Sequence, residues 1–427
     1  MTENKTVAIV GLGYVGLPLA CLCSRQGWQV KGIDINKKTI ASVNKGIAPI
    51  AIEPGYLSEE IKKKKIKAAE DFKNIADAQV IIICVPTPVS DNYLPNLGPV
   101  KSASQSVAKY LKKGQLVVLE STVNPGVSIE VVKPILEESG LKAGKDFHLA
   151  HCPERIDPGN KKWTVVNIPR VVGGINKASA EVAKSFYEEI LEGKVMMMKS
   201  LKEAEAVKIV ENSFRDINIA FVNELAQSFN KMDIDIVDVI NGASTKPFSF
   251  LAHYPSCGVG GHCIPVDPYY LIERAKASGF THEFLRLARE INNYMPTFTV
   301  DLVAQALNDR QKSIKGANIG ILGLAYKKNI SDTRESPAYE IIELLEKMGA
   351  KLHIYDPFVK DGSNADSLGD VLKKSECLVI TTDHDEFKGL GVADLEKNDI
   401  LAVIDGKNCL DKDSFTKSTV SYQGIGR

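Results

Sequence analysis

Residues 5–16 read Lys-Thr-Val-Ala-Ile-Val-Gly-Leu-Gly-Tyr-Val-Gly. An apolar strand runs into Gly11-x-Gly13-x-x-Gly16, with Tyr14 and Val15 inside the fingerprint, and a helix is expected to follow. Gly11 permits a tight turn, Gly13 lets backbone approach a pyrophosphate, and Gly16 lets the helix pack on the strand. The pyrophosphate would sit at the helix N-terminus, where free N–H groups and the dipole favour anions. The next strand, 29–33, ends at Asp34, the spacing expected of a carboxylate on ribose hydroxyls. Taken alone the glycines also fit an ordinary turn. Strand, helix and acid in register favour a dinucleotide site, and Asp34 would repel a 2′-phosphate, so NAD is expected over NADP.

Further strands are expected at 79–85, ending in Pro86-Thr87-Pro88, and at 115–120, ending in Ser121-Thr122-Val123, with helical stretches between. Such alternation gives a doubly wound parallel sheet whose ligands gather at the carboxyl ends of the strands. Thr87 and Thr122 then touch cofactor or substrate, unless they serve only the turns. Residues 317–328, Ala-Asn-Ile-Gly-Ile-Leu-Gly-Leu-Ala-Tyr-Lys-Lys, align with 5–16, but Gly13 has become Ala325 and Gly16 has become Lys328. A later strand ends at Asp356 as the earlier one ends at Asp34. The C-terminal third therefore reads as a second Rossmann-like domain. Lys327 and Lys328 either screen a diphosphate or are solvated surface lysines.

Between the two copies, 201–230 lacks Gly and Pro and favours one long helix. It serves as a dimer spine or as intrachain core. Lys208 and Asn212 share a face of it, and Glu211 with Arg215 forms the neighbouring pair. The expected architecture is α/β: an NAD-binding Rossmann-like domain over 1–198, a central helical domain over 199–305, and a second Rossmann-like domain over 306–427. After the helix comes Gly-Val-Gly-Gly-His-Cys-Ile-Pro-Val-Asp-Pro at 258–268. Cys263 follows glycines that cannot shield it and precedes Asp267. It is either a nucleophile with a lowered pKa or a small buried hydrophobe.

Composition narrows the class. The chain has 427 residues, 53 Lys+Arg against 53 Asp+Glu, and 44% hydrophobic residues. That balance argues against nucleic-acid and membrane-surface partners. No apolar run reaches membrane-spanning length. Eight scattered cysteines form no paired zinc pattern, so no metal is expected, and reduced thiols in a cytoplasm are.

Seven motifs, in order, now carry a resemblance: Gly11–Gly16, Pro86-Thr87-Pro88, Ser121-Thr122-Val123, Pro153-Glu154-Arg155, Lys208-x-x-x-Asn212, Gly260-Gly-His-Cys263 through Asp267, and Lys327 through Pro337. Spanning almost the whole chain, they resemble the UDP-glucose/UDP-mannuronate dehydrogenase family of NAD-dependent nucleotide-sugar 6-dehydrogenases. The resemblance implies a four-electron oxidation of a sugar CH2OH to a carboxylate with two NAD+, through a thiohemiacetal and a thioester on Cys263. It implies that Lys208 stabilises an alkoxide, Asn212 supports an oxyanion pocket, and Asp267 helps activate water with Thr122 and Glu154 nearby. On the substrate side it implies Glu154, Arg155, Lys208, Asn212, Tyr254, Gly260 and Lys327, with Arg215 and Lys246 toward an acetamido group or a phosphate. Arg334 is implied at the NAD pyrophosphate, beside Gly11, Gly13, Tyr14, Val15, Gly16, Asp34, Pro86, Thr87 and Thr122. From the long helix near 201–230, a homodimer is expected as well.

One position departs from the family. The glucose-oxidising branch tends to carry a second glutamate where this chain has Pro158. The segment looks like the N-acetylhexosamine branch, and Ile264-Pro265 leans toward UDP-N-acetylglucosamine over UDP-N-acetylmannosamine. A single-step hydroxyacid dehydrogenase of the 6-phosphogluconate type needs neither Cys263 nor the second nucleotide-like domain. A redox-sensing protein that holds NAD without turnover would not need the nucleophile, lysine and asparagine motifs.

Overall fold

A computed structural model describes residues 5–50, 55–90, 94–156, 160 and 162–427; Pro158 lies outside the described residues. The chain divides into two units, residues 1–211 with 269–280, and residues 212–268 with 281–427.

The first unit is built on β1 (Thr6–Val10), β2 (Gln29–Ile33), β3 (Ile66–Ala69), β4 (Val80–Ile83), β5 (Leu116–Leu119), β6 (His148–His151), β7 (Arg170–Gly174) and β8 (Val195–Met197). Their order is β3-β2-β1-β4-β5-β6-β7-β8, and only the β6–β7 pairing is antiparallel. The central strands are continuous apolar runs, Thr-Val-Ala-Ile-Val, Val-Ile-Ile-Ile and Leu-Val-Val-Leu, because helices cover both faces. Val7, Ile9, Ile82 and Val118 pack with Leu17, Leu22, Trp28 and Phe186 on one face. Ala8, Val10, Ile81 and Val117 pack with Val100, Val107 and Leu136 on the other. The sheet winds outward in both directions from β1, so its carboxyl edge holds a topological switch point. Strands β6 to β8 went unread in the sequence because His148-Leu-Ala-His and Val195-Met-Met are too short to show a period.

The second unit holds a parallel sheet of β9 (Asn318–Leu322), β10 (Lys351–Tyr355), β11 (Cys377–Ile380), β12 (Ala402–Asp405) and β13 (Ser421–Gly424), ordered β10-β9-β11-β12-β13. The repeat seen in sequence is present atom by atom. Gly11 donates its N–H to Ile33 O, and Gly323 donates to Tyr355 O; both glycines have positive φ, 95° and 108°. The two Rossmann-like sheets are joined in sequence by a central helical region: Leu201–Asn230, Ile236–Ala243, Asp267–Ala277 and Glu283–Asn308. The long helix contributes residues 201–211 to the first unit and 212–230 to the second. All eight cysteines are free, and no described helix is long and apolar enough to cross a membrane.

Where the copies differ is the acid. Asp34 is half-buried and accepts two backbone N–H groups, from Leu12 and Asn36, each at 2.8 Å. Asp356 is buried and accepts four, from Leu324 (2.6 Å), Ala325 (2.9 Å), Phe358 (2.7 Å) and Val359 (3.0 Å). His384 Nε2 lies 3.1 Å from Asp356, and His384 Nδ1 takes the N–H of Asn329, which makes Nε2 the protonated nitrogen. Burial would raise the Asp356 pKa, but His384 and the backbone donors outweigh it and hold it at about 2. The folded pKa lies below the unfolded one, so this stability is present above about pH 4 and is lost as pH falls toward 2. Asp356→Asn should therefore cost about 2 kcal/mol at neutral pH and less than about 0.5 kcal/mol at pH 2. Urea unfolding across that range checks it; a penalty unchanged at pH 2 would refute the assignment.

Candidate active site

In the first unit, the turn after β1 is shaped by what glycine omits. A Cβ on Gly16 would stand 1.9 Å from Gly11 O, and one on Gly11 would stand 2.6 Å from Cys84 O. Gly13 differs: an added Cβ would meet nothing within 4 Å. Gly13 and Tyr14 are exposed, Val15 is half-buried, and no side chain caps the helix Gly16–Arg25. Leu17 N–H turns back to Gly13 O at 3.1 Å, so what stands open is the backbone at Gly13 and the start of the helix, which fits a dinucleotide pyrophosphate.

The neighbouring strand ends are tied together. Ser121 Oγ donates to Val85 O at 2.7 Å, and the buried Tyr270 hydroxyl donates to Thr87 O. Pro86 is exposed, while Thr87 and Thr122 are half-buried. The turn after Thr122 is pinned by Glu205, which sequence reading missed. Its buried carboxylate accepts Gly126 N–H at 2.6 Å and Ser128 N–H at 2.7 Å, and burial pushes its pKa up. Its place three residues before Lys208 was the available signal. Lys208 is half-buried and makes no ion pair among the described residues.

Glu154 is buried with both oxygens engaged. Oε1 accepts Arg155 N–H (2.6 Å) and Ile156 N–H (2.7 Å), and Oε2 accepts Arg170 Nη2 (2.5 Å). Arg155 pairs with Glu211 and donates to Pro169 O at 2.9 Å. That corrects the expected Glu211–Arg215 pair: the helix turns Arg215 outward, exposed, while Glu211 meets the strand-end arginine.

In the second unit, buried Asn212 donates Nδ2 to Asp267 Oδ2 at 2.5 Å. Asp267 opens its helix, and its N–H goes to the Cys263 carbonyl at 2.8 Å, joined there by Val266 N–H at 3.1 Å. Cys263 is half-buried on that turn. The glycines before it make room for protein. A Cβ on Gly260 would lie 2.6 Å from Tyr326 Cβ, and one on Gly261 would lie 3.0 Å from the Tyr326 ring. Gly261 also donates its N–H to Arg334 O at 3.0 Å. Upstream, Ser256 N–H is held by Asn223 Oδ1 and Cys257 N–H by Gly406 O. Arg334 is exposed and bound to Asp332, and Lys327 is half-buried on the loop after β9. Lys246 and Tyr254 are exposed and locally engaged, Lys246 over the Phe248 ring at 4.9 Å and Tyr254 with Asn241 at 2.9 Å. Thus Asn212, Asp267 and the Cys263 turn form one bonded group, and Lys208 lies one helical turn before Asn212.

Comparison with known proteins gives three matches along the chain. Residues 5–191 match the UDP-glucose/GDP-mannose dehydrogenase family NAD binding domain, 202–294 its central domain, and 320–412 its UDP binding domain. The chain is similar to a UDP-N-acetyl-D-mannosamine dehydrogenase of Pyrococcus horikoshii, 36% identical with 99% of each chain covered. It is also 36% identical to a UDP-N-acetyl-D-glucosamine 6-dehydrogenase of Pseudomonas aeruginosa, over 92% of this chain and 94% of that one. A solved UDP-D-ManNAc dehydrogenase from Pyrococcus horikoshii superposes with a TM-score of 0.93, at 36% identity and 99% coverage of both chains.

The three glycines separate fold from ligand. Gly13→Ala should leave stability within about 0.5 kcal/mol of the parent, because the methyl meets no protein atom. It should weaken NAD+ binding on the order of tenfold or more, because backbone must approach the pyrophosphate there. Gly16→Ala should instead destabilise the first unit by about 2 kcal/mol or more. Calorimetric titration and thermal melts on both variants test this, and native NAD+ affinity in Gly13→Ala would contradict the placement.

Proposed function

The chain belongs to the UDP-glucose/GDP-mannose dehydrogenase family, and from that premise we propose that it oxidises C6 of a UDP-N-acetylhexosamine to the uronate through a thioester on Cys263. The observation that carries the reading is the bonded group Asn212–Asp267–Cys263. The Cys263 carbonyl takes the N–H of Asp267, whose carboxylate bonds Asn212, and this supports a role for all three in one site. The chemistry requires a sulfur. An aldehyde has no hydride to give until a nucleophile adds to it, and a thiolate holds the substrate between the two oxidations. NAD+, when bound, accepts the hydride of each oxidation. Lys208 and Asn212 carry the negative charge that develops on oxygen at C6, Asn212 held in aim by its bond to Asp267. Asp267, Glu154 and Thr122 attend the water that hydrolyses the thioester.

For the sugar, likeness over the full length of a UDP-N-acetyl-D-mannosamine dehydrogenase supports that epimer. Ile264-Pro265 and the likeness to the Pseudomonas enzyme support UDP-N-acetylglucosamine as the second reading. A panel of UDP-sugars assayed for NADH should give two NADH per sugar consumed with one of these two. Cys263→Ala should abolish acid formation while NAD+ and substrate still bind. Cys263→Ser should stall after the first oxidation or accumulate an ester visible by intact mass. Near-native turnover in Cys263→Ala, or a ratio of one NADH with free aldehyde, would overturn the mechanism.

A homodimer on the long helix belongs to the same proposal. Val210, Phe214 and Phe221 are each more than half exposed along it, unusual for large apolar side chains on one helix. Phe214→Glu with Phe221→Glu should shift the sedimentation coefficient from dimer to monomer at micromolar concentration. An unchanged native species, of either size, would count against the helix as interface.

A further inference from the structure

The segment 256–267, which carries Cys263, is a strap held at both ends by one helix. At its downstream end Asn212 Nδ2 donates to Asp267 Oδ2 at 2.5 Å. At its upstream end Asn223 Oδ1 accepts the Ser256 N–H at 3.0 Å. Both asparagines belong to the helix Leu201–Asn230. Asn223 follows Asn212 by eleven residues. That is about three turns and about 16 Å along the axis, so both side chains leave one face. Between the two anchors Ser256 Oγ donates to Gly258 O at 2.8 Å, Cys257 N–H to Gly406 O at 2.8 Å, and Gly261 N–H to Arg334 O at 3.0 Å. The chemistry outlined above uses Asn212 and Asp267 but gives Asn223 no task.

Asn223 is fully buried, and its other end is held as well. Its Nδ2 donates to Asn292 Oδ1 at 2.9 Å. Asn292, buried on the helix Glu283–Asn308, donates Nδ2 to Asp216 Oδ1 at 2.8 Å and to the Asp216 carbonyl at 3.0 Å. The same Asp216 oxygen takes Arg289 Nη1 at 2.6 Å. The direction of each amide follows from the end that cannot turn over. A backbone N–H only donates, so Asn223 must offer it oxygen and aim its NH2 at Asn292. Asn292 must then answer with oxygen and aim its own NH2 at Asp216, a carboxylate that accepts. Reversing Asn223 or Asn292 would set donor against donor inside the fold and leave buried groups unmet. The line from Asp216 through Asn292 thus gives Asn223 Oδ1 one place to stand, and Ser256 N–H is bonded to it there.

We propose that Asn223 is a positioning residue for Cys263, acting through the backbone of Ser256, and that Asn292 and Asp216 hold its amide in aim. This rests on the reading that Cys263 captures the aldehyde. In that capture an electron pair of the thiolate forms the C6–S bond, the carbonyl π pair moves onto oxygen, and that oxygen takes a proton from solvent. No group leaves, and nothing is oxidised or reduced. The first oxidation, alcohol to aldehyde, needs no sulfur. Loosening the strap at Ser256 therefore separates the two events: the alcohol is still oxidised, but the aldehyde escapes before the thiol meets it.

The test supplies NAD+ and the UDP-N-acetylhexosamine that wild type turns over, with a hydrazide present to trap free aldehyde, and counts NADH, uronate and hydrazone. Wild type should give two NADH per sugar and little hydrazone. Asn223→Ala should form uronate more slowly, on the order of tenfold or more, with NADH per sugar falling toward one and hydrazone making up the difference. The rate of the first oxidation and KM for the UDP-sugar should each stay within about threefold of wild type. Asn292→Ala removes the acceptor of Asn223 Nδ2 but leaves Asn223 and Ser256 themselves in place. It should shift the products the same way by a smaller factor, and it carries the test if Asn223→Ala does not fold. Leu345→Ala opens the buried core of the second unit and reads what lost stability alone does; its product ratio should match wild type. An unchanged product ratio in the asparagine variants, equal slowing of both oxidations, or as much hydrazone from Leu345→Ala overturns the proposal. If Cys263→Ala still forms uronate, it is the reading of Cys263 that fails.

Discussion

A Cβ on Gly16 would overlap the Gly11 carbonyl oxygen, 1.9 Å away, and the cofactor half of the protein is arranged around that steric fact. Strand β1 and the helix after it can meet backbone to backbone only if neither carries a side chain at the crossing. Once they meet, the helix N-terminus is delivered to the carboxyl edge of the sheet, at the point where its winding reverses. Asp34 completes the turn by accepting Leu12 N–H. No side chain then caps the helix, and none covers Gly13, so an anion can approach the backbone at its start.

The second copy keeps this skeleton and spends it differently. Gly323 repeats the turn, and Leu324 N–H repeats the bond to the acid. Ala325 N–H is captured as well, and with Phe358, Val359 and His384 around it Asp356 is saturated by the protein. A carboxylate so occupied has little left for ribose hydroxyls. The loop beyond it serves another end: Tyr326 lies against Gly260 and Gly261, and Arg334 O takes Gly261 N–H. The glycines before Cys263 are thus the ones that let this loop pack against its turn.

What could be read from the sequence was what is local. Gly11, Gly13, Gly16 and Asp34 announce themselves within thirty residues, the repeat at 317–328 is a register match, and the helix 201–230 is a run of good helix formers ending at Asn230 as expected. The short bonds about the candidate site were not legible, because sequence separation hides them. Glu205 reaches back to Gly126, Arg155 across to Glu211, and Arg289 to Asp216. The expected Glu211–Arg215 pair failed for the same reason: helical spacing states which residues are neighbours on a helix but not which tertiary partner competes for them. Strands β7 and β8 escaped notice because their pairing, including the reversal at β6–β7, is set by the sheet and not by their own few residues.

Buried charge shows the same dependence on partners. In the second unit Asp216 faces Arg289 one to one, with Asn292 adding a donor. Burial pushes Asp216 up, but its ionised form leaves that pair neutral, so no proton is needed there. In the first unit Arg170 pairs with Glu154, while Glu120 has no ion pair among the described residues, and burial pushes it up to about 7. The two sites share residue types and burial, so neither type nor burial decides which of them titrates. What each carboxylate meets decides it: Asp216 bonds Arg289, while the Glu120 oxygens meet the Tyr187 hydroxyl and, at 3.8 Å, the Cys84 thiol. A titrating group in this protein is therefore a property of its tertiary partners before it is a property of any one glutamate.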